Sequence, residues 1–168
     1  QADAMLAGIT LDTKNFAVKT GVRTFEAAAY LRKRGANTLT VKGMFSDNIE
    51  TYREKVDIVC KAHVYRGCAI SIAPSGDGDI RLASAQAADE MLNLKGVDAS
   101  FVRFEDNSEI NISARSYGNV NVQIIMEKLG GGGHQTMAAT QLKNTTKELA
   151  YQQLLSEIDN TLDDEENS

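Results

Sequence analysis

Several features that would point to common protein classes are missing from this sequence of 168 residues. No apolar run approaches the ~20 residues that a membrane-spanning helix needs, and no secretory signal is present. The two cysteines, Cys60 and Cys68, lack the spacing of a metal or redox motif, which favours reduced thiols in a cytoplasmic setting. A net charge of −5, with no basic stripe and no series of stacking aromatics, argues against a broad electrostatic grip on nucleic acid.

The composition that remains is that of a folded protein. Apolar residues make up 42% of the chain and charged residues 24%, as in folded soluble proteins. The length of 168 residues is enough for one ordinary domain or for one domain and part of another. The chain begins QADAMLAGI, without an initiating methionine and with an apolar pattern already under way. We therefore expect it to be part of a longer protein.

The pattern of strands and helices predicts an α/β fold with a small mixed sheet and flanking helices, preceded by a helical segment. We place the helical segment at residues 1–40, a linker and the start of a helix at 41–55, and the mixed unit at 56–168. Residues 36–47 show little periodicity and are interpreted as a connection. An acidic tail, DDEENS, ends the chain.

Helical periodicity and end signals predict six helices. The first runs from Ala4 to about Ile9 within ADAMLAGITLDT, and the others lie in RTFEAAAYLRKRGA, SDNIETYREKVDIVCKAH, RLASAQAADEMLNLKG, NVNVQIIMEKL and TTKELAYQQLLSEIDNTL. The last of these is expected to begin with a capping box formed by Thr145 and Glu148. Strand patterns are CAISIA, QTMAATQL and a hairpin, DASFVRFEDNSEINISARS, that turns near residues 105–108. PSGDGD is the strongest turn signal.

A run of four glycines followed by His134, in the stretch GGGGHQTMAAT, raises the question of function. A single glycine is enough to end a helix, and each further one costs roughly 1 kcal/mol relative to alanine. Successive glycines turn several main-chain N–H groups toward one point, which makes an anion-binding concavity, and an adjacent imidazole donates to a phosphate oxygen or moves a proton. The alternative is a flexible connector with an exposed histidine. The glycines alone favour neither interpretation.

Arg115 shifts the balance toward an anion site. It alternates with Ser113 on the polar face of the second hairpin strand, a short helix away from the glycines. A guanidinium matches the geometry of phosphate better than any other side chain. The combination of guanidinium, hydroxyl, main-chain amides and imidazole predicts that a phosphoryl group binds here.

Four other features carry weaker signals. Asp12, at the end of a predicted helix, is either a local cap or a hard ligand for Mn²⁺ or Mg²⁺. His63 falls on an apolar helical face, together with Ile49, Tyr52, Val56, Val59 and Cys60, and is interpreted as a core histidine. Arg23 either contacts an anion or packs at a helix start. PSGDGD lacks the later ligands of an EF-hand and is read as a turn.

Two segments resemble a known superfamily. GGGGHQTMAAT, preceded by INISARS, is similar to the C-terminal DHH-associated domain of the DHH phosphoesterases, and LAGITLDTKNF with KTGVRTFEAAAYLR resembles the end of the preceding DHH domain. The amino-acid sequences of both segments most resemble those of the GdpP-type cyclic-di-AMP phosphodiesterases of Gram-positive bacteria. The resemblance covers the whole chain except the acidic tail.

The resemblance implies a two-metal phosphodiesterase, usually dependent on Mn²⁺, that hydrolyses cyclic-di-AMP to linear pApA. Asp12 matches the last carboxylate ligand of the DHH domain. The glycines and histidine of the phosphate-binding loop match Gly131, Gly132, Gly133 and His134, and the strand facing the substrate matches Ser113 and Arg115. The partners it implies are a cyclic dinucleotide or short oligonucleotide, an upstream DHH domain and, as an option, a second copy in a homodimer.

The sequence departs from the superfamily because it contains neither a DHH tripeptide nor the upstream aspartate cluster. We therefore expect this chain to be catalytically inactive by itself and to bind metal weakly. The parent is expected to be membrane-anchored, with this part cytoplasmic and without membrane contact of its own. Two alternative functions stay open: a nanoRNA or single-strand phosphoesterase of the same superfamily, and a non-catalytic nucleic-acid-binding module.

Overall fold

The computed structural model describes residues 1–74 and 80–166, and it divides the chain into two compact units. Unit 1 comprises Gln1–Asn48 and unit 2 comprises Ile49–Ser168. The division falls within the segment 41–55 that was predicted to connect a helical part to a mixed part. The aspartate-containing part of the PSGDGD turn prediction, residues 75–79, lies outside the described residues.

Unit 1 consists of three helices among the described residues: α1 (Ala2–Asp12), α2 (Val22–Lys33) and α3 (Thr38–Gly43). Two of them were predicted, whereas α3 was interpreted as part of a connection because residues 36–47 show little periodicity and contain Gly43 and Ser46-Asp47. Asn37 begins α3, since its side-chain oxygen accepts a hydrogen bond from the amide of Leu39 at 2.8 Å. A small core shared by the helices contains Leu6, Ala7, Leu31, Ala36 and Val41.

Unit 2 is a mixed α/β fold, as the sequence predicts. Its described helices and strands, in chain order, are α4 (Ile49–Cys60), β1 (His63–Tyr65), β2 (Cys68–Ile72), α5 (Ile80–Met91), β3 (Ala99–Asp106), β4 (Glu109–Ser116), α6 (Val122–Lys128), β5 (Gly132–His134), β6 (Met137–Leu142) and α7 (Lys147–Glu166). The strands form one sheet in the order β1-β2-β3-β4-β6-β5. β2 and β3 are parallel and joined through α5, and the other neighbours are antiparallel.

The predicted hairpin is confirmed, and its turn is set by two residues. Asn107 and Ser108 connect β3 to β4 and both have positive φ, 51° and 62°. Such a two-residue turn matches the right-handed twist of the strands it joins. The register that follows pairs Phe101 with Ala114 and Val102 with Ser113, so the alternation expected for β4 is preserved across the sheet.

Helices α6 and α7 cover one face of the sheet. The apolar stripe predicted for α6 is buried, with Val122, Ile125 and Met126 fully inaccessible. From α7, Leu154 and Ile158 join the same core, which also includes Phe101 and other inward-facing strand residues. Because residues that alternate along a strand point to opposite faces, Ser113 and Arg115 lie on the other side of the sheet.

The second face carries helices α4 and α5 over part of its width only. α5 contacts β3 and β4, and α4 contacts β2. Their core contains Ile58, Val102, Phe104 and the alanines of α5. On this face β6 exposes Met137, Ala139 and Gln141, while the alternate residues of β6 are buried beneath α6. We refer to this uncovered side of β6 and β5, with Ser113 and Arg115 of β4 at its border, as the open face.

Three local predictions are wrong. His63 lies in β1 instead of α4, and it is exposed, with its Nε2 2.9 Å from the hydroxyl of Tyr151. The buried residue of α4 is Ile58, while Tyr52 of the predicted stripe is 52% exposed. The cap of α7 is Thr146, whose hydroxyl accepts a hydrogen bond from the Leu149 amide at 3.2 Å, so the expected pairing of Thr145 with Glu148 does not form.

Within the two described stretches of chain, no helix combines the length and hydropathy needed to cross a bilayer.

Candidate functional site

Arg115 and His134 lie in one row across the sheet. The sequence pattern predicted that these two residues contribute to the same site. Arg115 of β4 pairs with Met137 of β6, and Met137 pairs in turn with His134 of β5. Residues paired across antiparallel strands project from the same face. Since adjacent strands are ~4.8 Å apart, the backbones of Arg115 and His134 are separated by roughly 10 Å. Both side chains therefore belong to the open face.

The next row along the strands consists of small residues. Ser113 pairs with Ala139, and Ala139 pairs with Gly132. Ser113 is 8% exposed at the border with α5, whereas Ala139 is exposed. The side chains in this row are shorter than those of the adjacent row, which contains Arg115, Met137 and His134.

The Arg115 side chain is held in place at the border of the open face. Its Nε lies 3.4 Å from Oδ2 of Asp89 on α5, and its Nη1 donates to the main-chain oxygen of Ala114 at 2.9 Å. The side chain is 10% exposed, while that of Asp89 is 45% exposed. These contacts use two of the five guanidinium N–H groups, so the group is oriented before any ligand arrives.

Glycine occurs at the four consecutive residues of this run for different structural reasons. Gly130, with φ of 79°, ends α6 in a Schellman motif: its amide donates to Glu127 O at 2.9 Å and the Gly131 amide donates to Met126 O at 2.8 Å. A Cβ at Gly131 would meet the main-chain oxygen of Ala139 at 2.1 Å, and one at Gly133 would meet that of Met137 at 2.4 Å. The close packing of β5 on β6 therefore requires glycine at residues 131 and 133.

Gly132 differs from its neighbours, because a Cβ built there would have no atom within 4 Å. It belongs to the row of small residues on the open face, so the missing side chain leaves space for a ligand to approach the main chain. This is the one glycine of the run that neither the helix end nor the packing of the strands explains.

The convergence of several amides that the sequence indicated is only partly formed. The amides of Gly130 and Gly131 are engaged at the end of α6. His134 and Met137 flank a two-residue turn and form a hydrogen-bonded pair, so the next pair, Gly133 with Ala138, is not hydrogen-bonded and the Gly133 amide points to the outer edge of the sheet. One amide near the imidazole, that of Gly133, is thus directed outward, whereas the sequence indicated that several amides would converge.

Arg103, which the sequence analysis did not single out, is a second buried arginine on the opposite face. It is 9% exposed, its Nη1 donates to the main-chain oxygen of Lys147, and its guanidinium lies 6.0 Å from the centre of the Tyr151 ring. Burial lowers its pKa below the ordinary value of arginine. A cavity of about 30 Å³ beside it has room for water molecules but not for a nucleotide. Arg103 supports α7 and is not part of the open face.

In unit 1, Asp12 is exposed and is the last residue of α1. The segment that follows it has an unusual backbone: Lys14, Asn15 and Phe16 have φ of 45°, 58° and 65°. Each such residue other than glycine costs roughly 1–2 kcal/mol. Strain of this kind concentrates at functional segments. Arg23, near the start of α2, is also exposed, so it does not pack into the small core.

The residues present do not complete a metal centre. Asp12, the predicted ligand, is a single carboxylate, and no group of three or more His, Cys, Asp and Glu side chains that could hold an ion occurs within residues 1–74 and 80–166. Paired metal ions require several shared ligands. No chemical step is therefore assigned to a metal held by this chain alone.

The fold and the open face define a small mixed α/β domain built to present a guanidinium and an imidazole from one side of its sheet. The chain belongs to the DHHA1 domain family, whose model matches residues 67–164. It is 48% identical, over 95% of its length, to "Cyclic-di-AMP phosphodiesterase PdeA" of Listeria monocytogenes, and 43% identical, again over 95%, to "Cyclic-di-AMP phosphodiesterase GdpP" of Bacillus subtilis.

The chain spans 24% of the length of the Listeria relative and 25% of that of the Bacillus relative. Among solved structures it is similar to an exopolyphosphatase-related protein from Bacteroides fragilis, with a TM-score of 0.79, 19% identity, and coverage of 97% of this chain and 49% of the other. At that identity the similarity shows the shared fold alone.

The glycines give a prediction for stability. Gly131→Ala places a methyl group against the Ala139 oxygen, so we expect the free energy of unfolding to fall by about 1–3 kcal/mol or more. Gly132→Ala meets no neighbour, so its effect is expected to stay within ~0.5 kcal/mol. Urea denaturation followed by circular dichroism measures both. Equal destabilisation by the two variants would contradict the account of β5 packing on β6.

Proposed function

We propose that the chain is the substrate-binding part of a phosphodiesterase that hydrolyses cyclic-di-AMP to linear pApA. The observation that carries the proposal is the shared row of Arg115, Met137 and His134 beside the small residues of the open face. The relatives named for that activity support it, since they are 43–48% identical over almost the whole chain. The activity itself is assigned to the longer protein.

In this proposal the open face binds one phosphoryl group of the dinucleotide. Arg115 donates to its oxygens with the N–H groups that Asp89 and Ala114 leave available, and a charge-assisted bond of this kind is roughly twice as strong as a neutral one. His134 donates from the other side of Met137. Gly132 lets the ligand lie close to the main chain, and the outward amide of Gly133 is within the same corner of the sheet.

The local charge of the open face makes binding compatible with an acidic chain. The net charge is −5, yet a dinucleotide needs only a few well-placed donors. Asp89 orients Arg115 but sits on the α5 side of it, half exposed to water that screens its charge. The acidic balance disfavours binding of long nucleic acids, which depends on many phosphate contacts.

The strained segment after Asp12 supports a role for unit 1. Asp12 is proposed to contribute one carboxylate to a Mn²⁺ site, with the remaining ligands supplied by the part of the longer protein that this chain does not include. Metal ions in such a site neutralise charge on the phosphoryl group. The left-handed residues 14–16 fix the chain direction directly after that carboxylate.

Unit 1 also exposes a large apolar surface, which supports contact with a further part of the parent. Its exposed side chains include Met5, Leu11, Val22, Phe25, Tyr30 and Leu39, each more than half accessible. Large apolar side chains that come together at a surface mark sites of contact with another protein part. We infer that they pack against the segment that precedes this chain in the longer protein.

Substituting Arg115 tests the proposed site. In the longer protein with Mn²⁺, Arg115→Gln is expected to lower kcat/KM for cyclic-di-AMP by roughly 100-fold, because charge-assisted bonds to the phosphoryl group are lost. Steady-state hydrolysis to pApA gives the values. Arg81→Gln is the matched control. Arg81 lies on the same helix as Asp89, but its Nε is paired with Oδ2 of Asp106 at a distance of 2.5 Å, and this pair is not part of the site.

Unchanged kinetics in Arg115→Gln, or an equal loss in Arg81→Gln, would remove Arg115 from the site. Rates for cyclic-di-AMP, linear pApA and a short RNA should be compared in the same assay. A clear preference for the RNA would favour the oligonucleotide phosphoesterase over the cyclic dinucleotide enzyme.

The missing metal ligands give a second prediction. The 168-residue chain alone is expected to show no hydrolysis of cyclic-di-AMP above background and no saturable binding of Mn²⁺ below millimolar concentrations, since a single carboxylate holds the ion weakly. Chromatographic product analysis and isothermal titration calorimetry measure these two quantities. Hydrolysis at a rate comparable to that of the longer protein would show that this chain contains a complete catalytic centre.

A further inference from the structure

The far end of the open face carries a polar residue that the proposed phosphate site does not use. Gln141 of β6 pairs with Asn111 of β4. It lies four residues from Met137, so its side chain projects from the same face as Arg115 and His134. Gln141 is exposed, whereas Asn111 is 5% exposed.

The orientation of the Gln141 amide is fixed by Glu109. The Gln141 Nε2 donates to Oε2 of Glu109, and Lys143 places its Nζ 3.6 Å from the other carboxylate oxygen. An ionised carboxylate only accepts hydrogen bonds. The amide nitrogen must therefore face Glu109, which leaves the Gln141 carbonyl oxygen as the atom presented elsewhere. Gln141 acts as an acceptor on the open face.

The spacing between Gln141 and the phosphate-binding row leaves room for a flat ring. Rows on one face of a strand are ~7 Å apart, so the Gln141 row lies about 14 Å from the Arg115 row. Between them is the row of Ser113, Ala139 and Gly132, whose side chains are small. A nucleobase whose phosphate is bound at Arg115 and His134 would lie over this row with its edge toward Gln141.

We propose that Gln141 is a specificity-determining residue that selects adenine over guanine in the bound dinucleotide. The proposal rests on the proposed function of the open face. The Gln141 carbonyl accepts a hydrogen bond from the exocyclic amine of adenine. Guanine carries a carbonyl oxygen at the corresponding position, so two acceptors would face each other. The Gln141–Glu109 hydrogen bond maintains the preference because it prevents the amide from turning to offer its N–H groups.

The test compares three substrates in the longer protein with Mn²⁺: cyclic-di-AMP, cyclic-di-GMP and the base-free diester bis(4-nitrophenyl) phosphate. Gln141→Leu is expected to reduce kcat/KM for cyclic-di-AMP by about ten-fold, mainly through KM. It is expected to raise kcat/KM for cyclic-di-GMP, because the two facing acceptors are no longer present, and to leave the value for the base-free diester unchanged. Glu109→Gln is expected to lower the ratio of kcat/KM for cyclic-di-AMP to kcat/KM for cyclic-di-GMP, because the Gln141 amide becomes free to turn.

The matched control is Gln123→Leu. Gln123 also donates from Nε2 to a glutamate, Glu127 Oε1 at 2.7 Å, but it lies on α6 and so on the opposite side of the sheet. The Gln123→Leu variant should leave kcat/KM unchanged for all three substrates. An equal loss on all substrates in Gln141→Leu, or an unaltered adenine-to-guanine ratio in both open-face variants, would overturn the inference. Failure of the wild-type protein to hydrolyse cyclic-di-AMP would instead reject the proposed function.

Discussion

The close packing of β5 on β6 is the constraint on which the candidate site depends. β5 is a three-residue edge strand, and only glycine fits at residues 131 and 133 beneath the main-chain oxygens of β6. This packing fixes the register that brings His134 into the row of Arg115. A strand displaced by one residue would turn His134 to the opposite face. The glycines thus act on the candidate site largely through the position of the histidine.

The uneven coverage of the sheet turns that register into an accessible surface. α6 and α7 bury one face under a single apolar core, while α4 and α5 cover the other face only as far as β4. The sheet therefore continues beyond α5 with its β6 and β5 side chains exposed. Arg115 lies at the border, where Asp89 of α5 orients it. Polar strand residues in this position are buried enough to be ordered and open enough to meet a ligand.

Much of the fold was predictable because its patterns are long. The 3.6-residue stripe of α6, the apolar face of α7 and the alternation in β4 each extend over several residues, and tertiary packing agrees with them. Short elements escaped prediction. The helix α3 and the strands β1 and β5 have six, three and three residues, too few for a period to be recognised, and neighbouring strands stabilise them more than their own sequence does.

The sequence pointed to the residue types of the candidate site but not to their hydrogen-bond contacts. The sequence indicated that Arg115 and His134 belong together, and a short separation along the chain was enough to propose it. It could not show that the Gly131 amide is engaged at the helix end, since that depends on where α6 stops. His63 was misplaced because the helical period of α4 extends past Cys60 in the sequence, while the chain turns into β1. The Gln141–Glu109 contact joins residues 32 positions apart, beyond the reach of any local pattern.

The most direct test of the account is a titration of the ¹⁵N-labelled 168-residue chain with pApA, followed by amide chemical shifts. The account predicts that the perturbed amides cluster on the open face, in β4, β6 and β5 around residues 113–115, 137–141 and 132–134. Perturbations of similar size confined to α6 and α7, with the open face unchanged at millimolar dinucleotide, would contradict it.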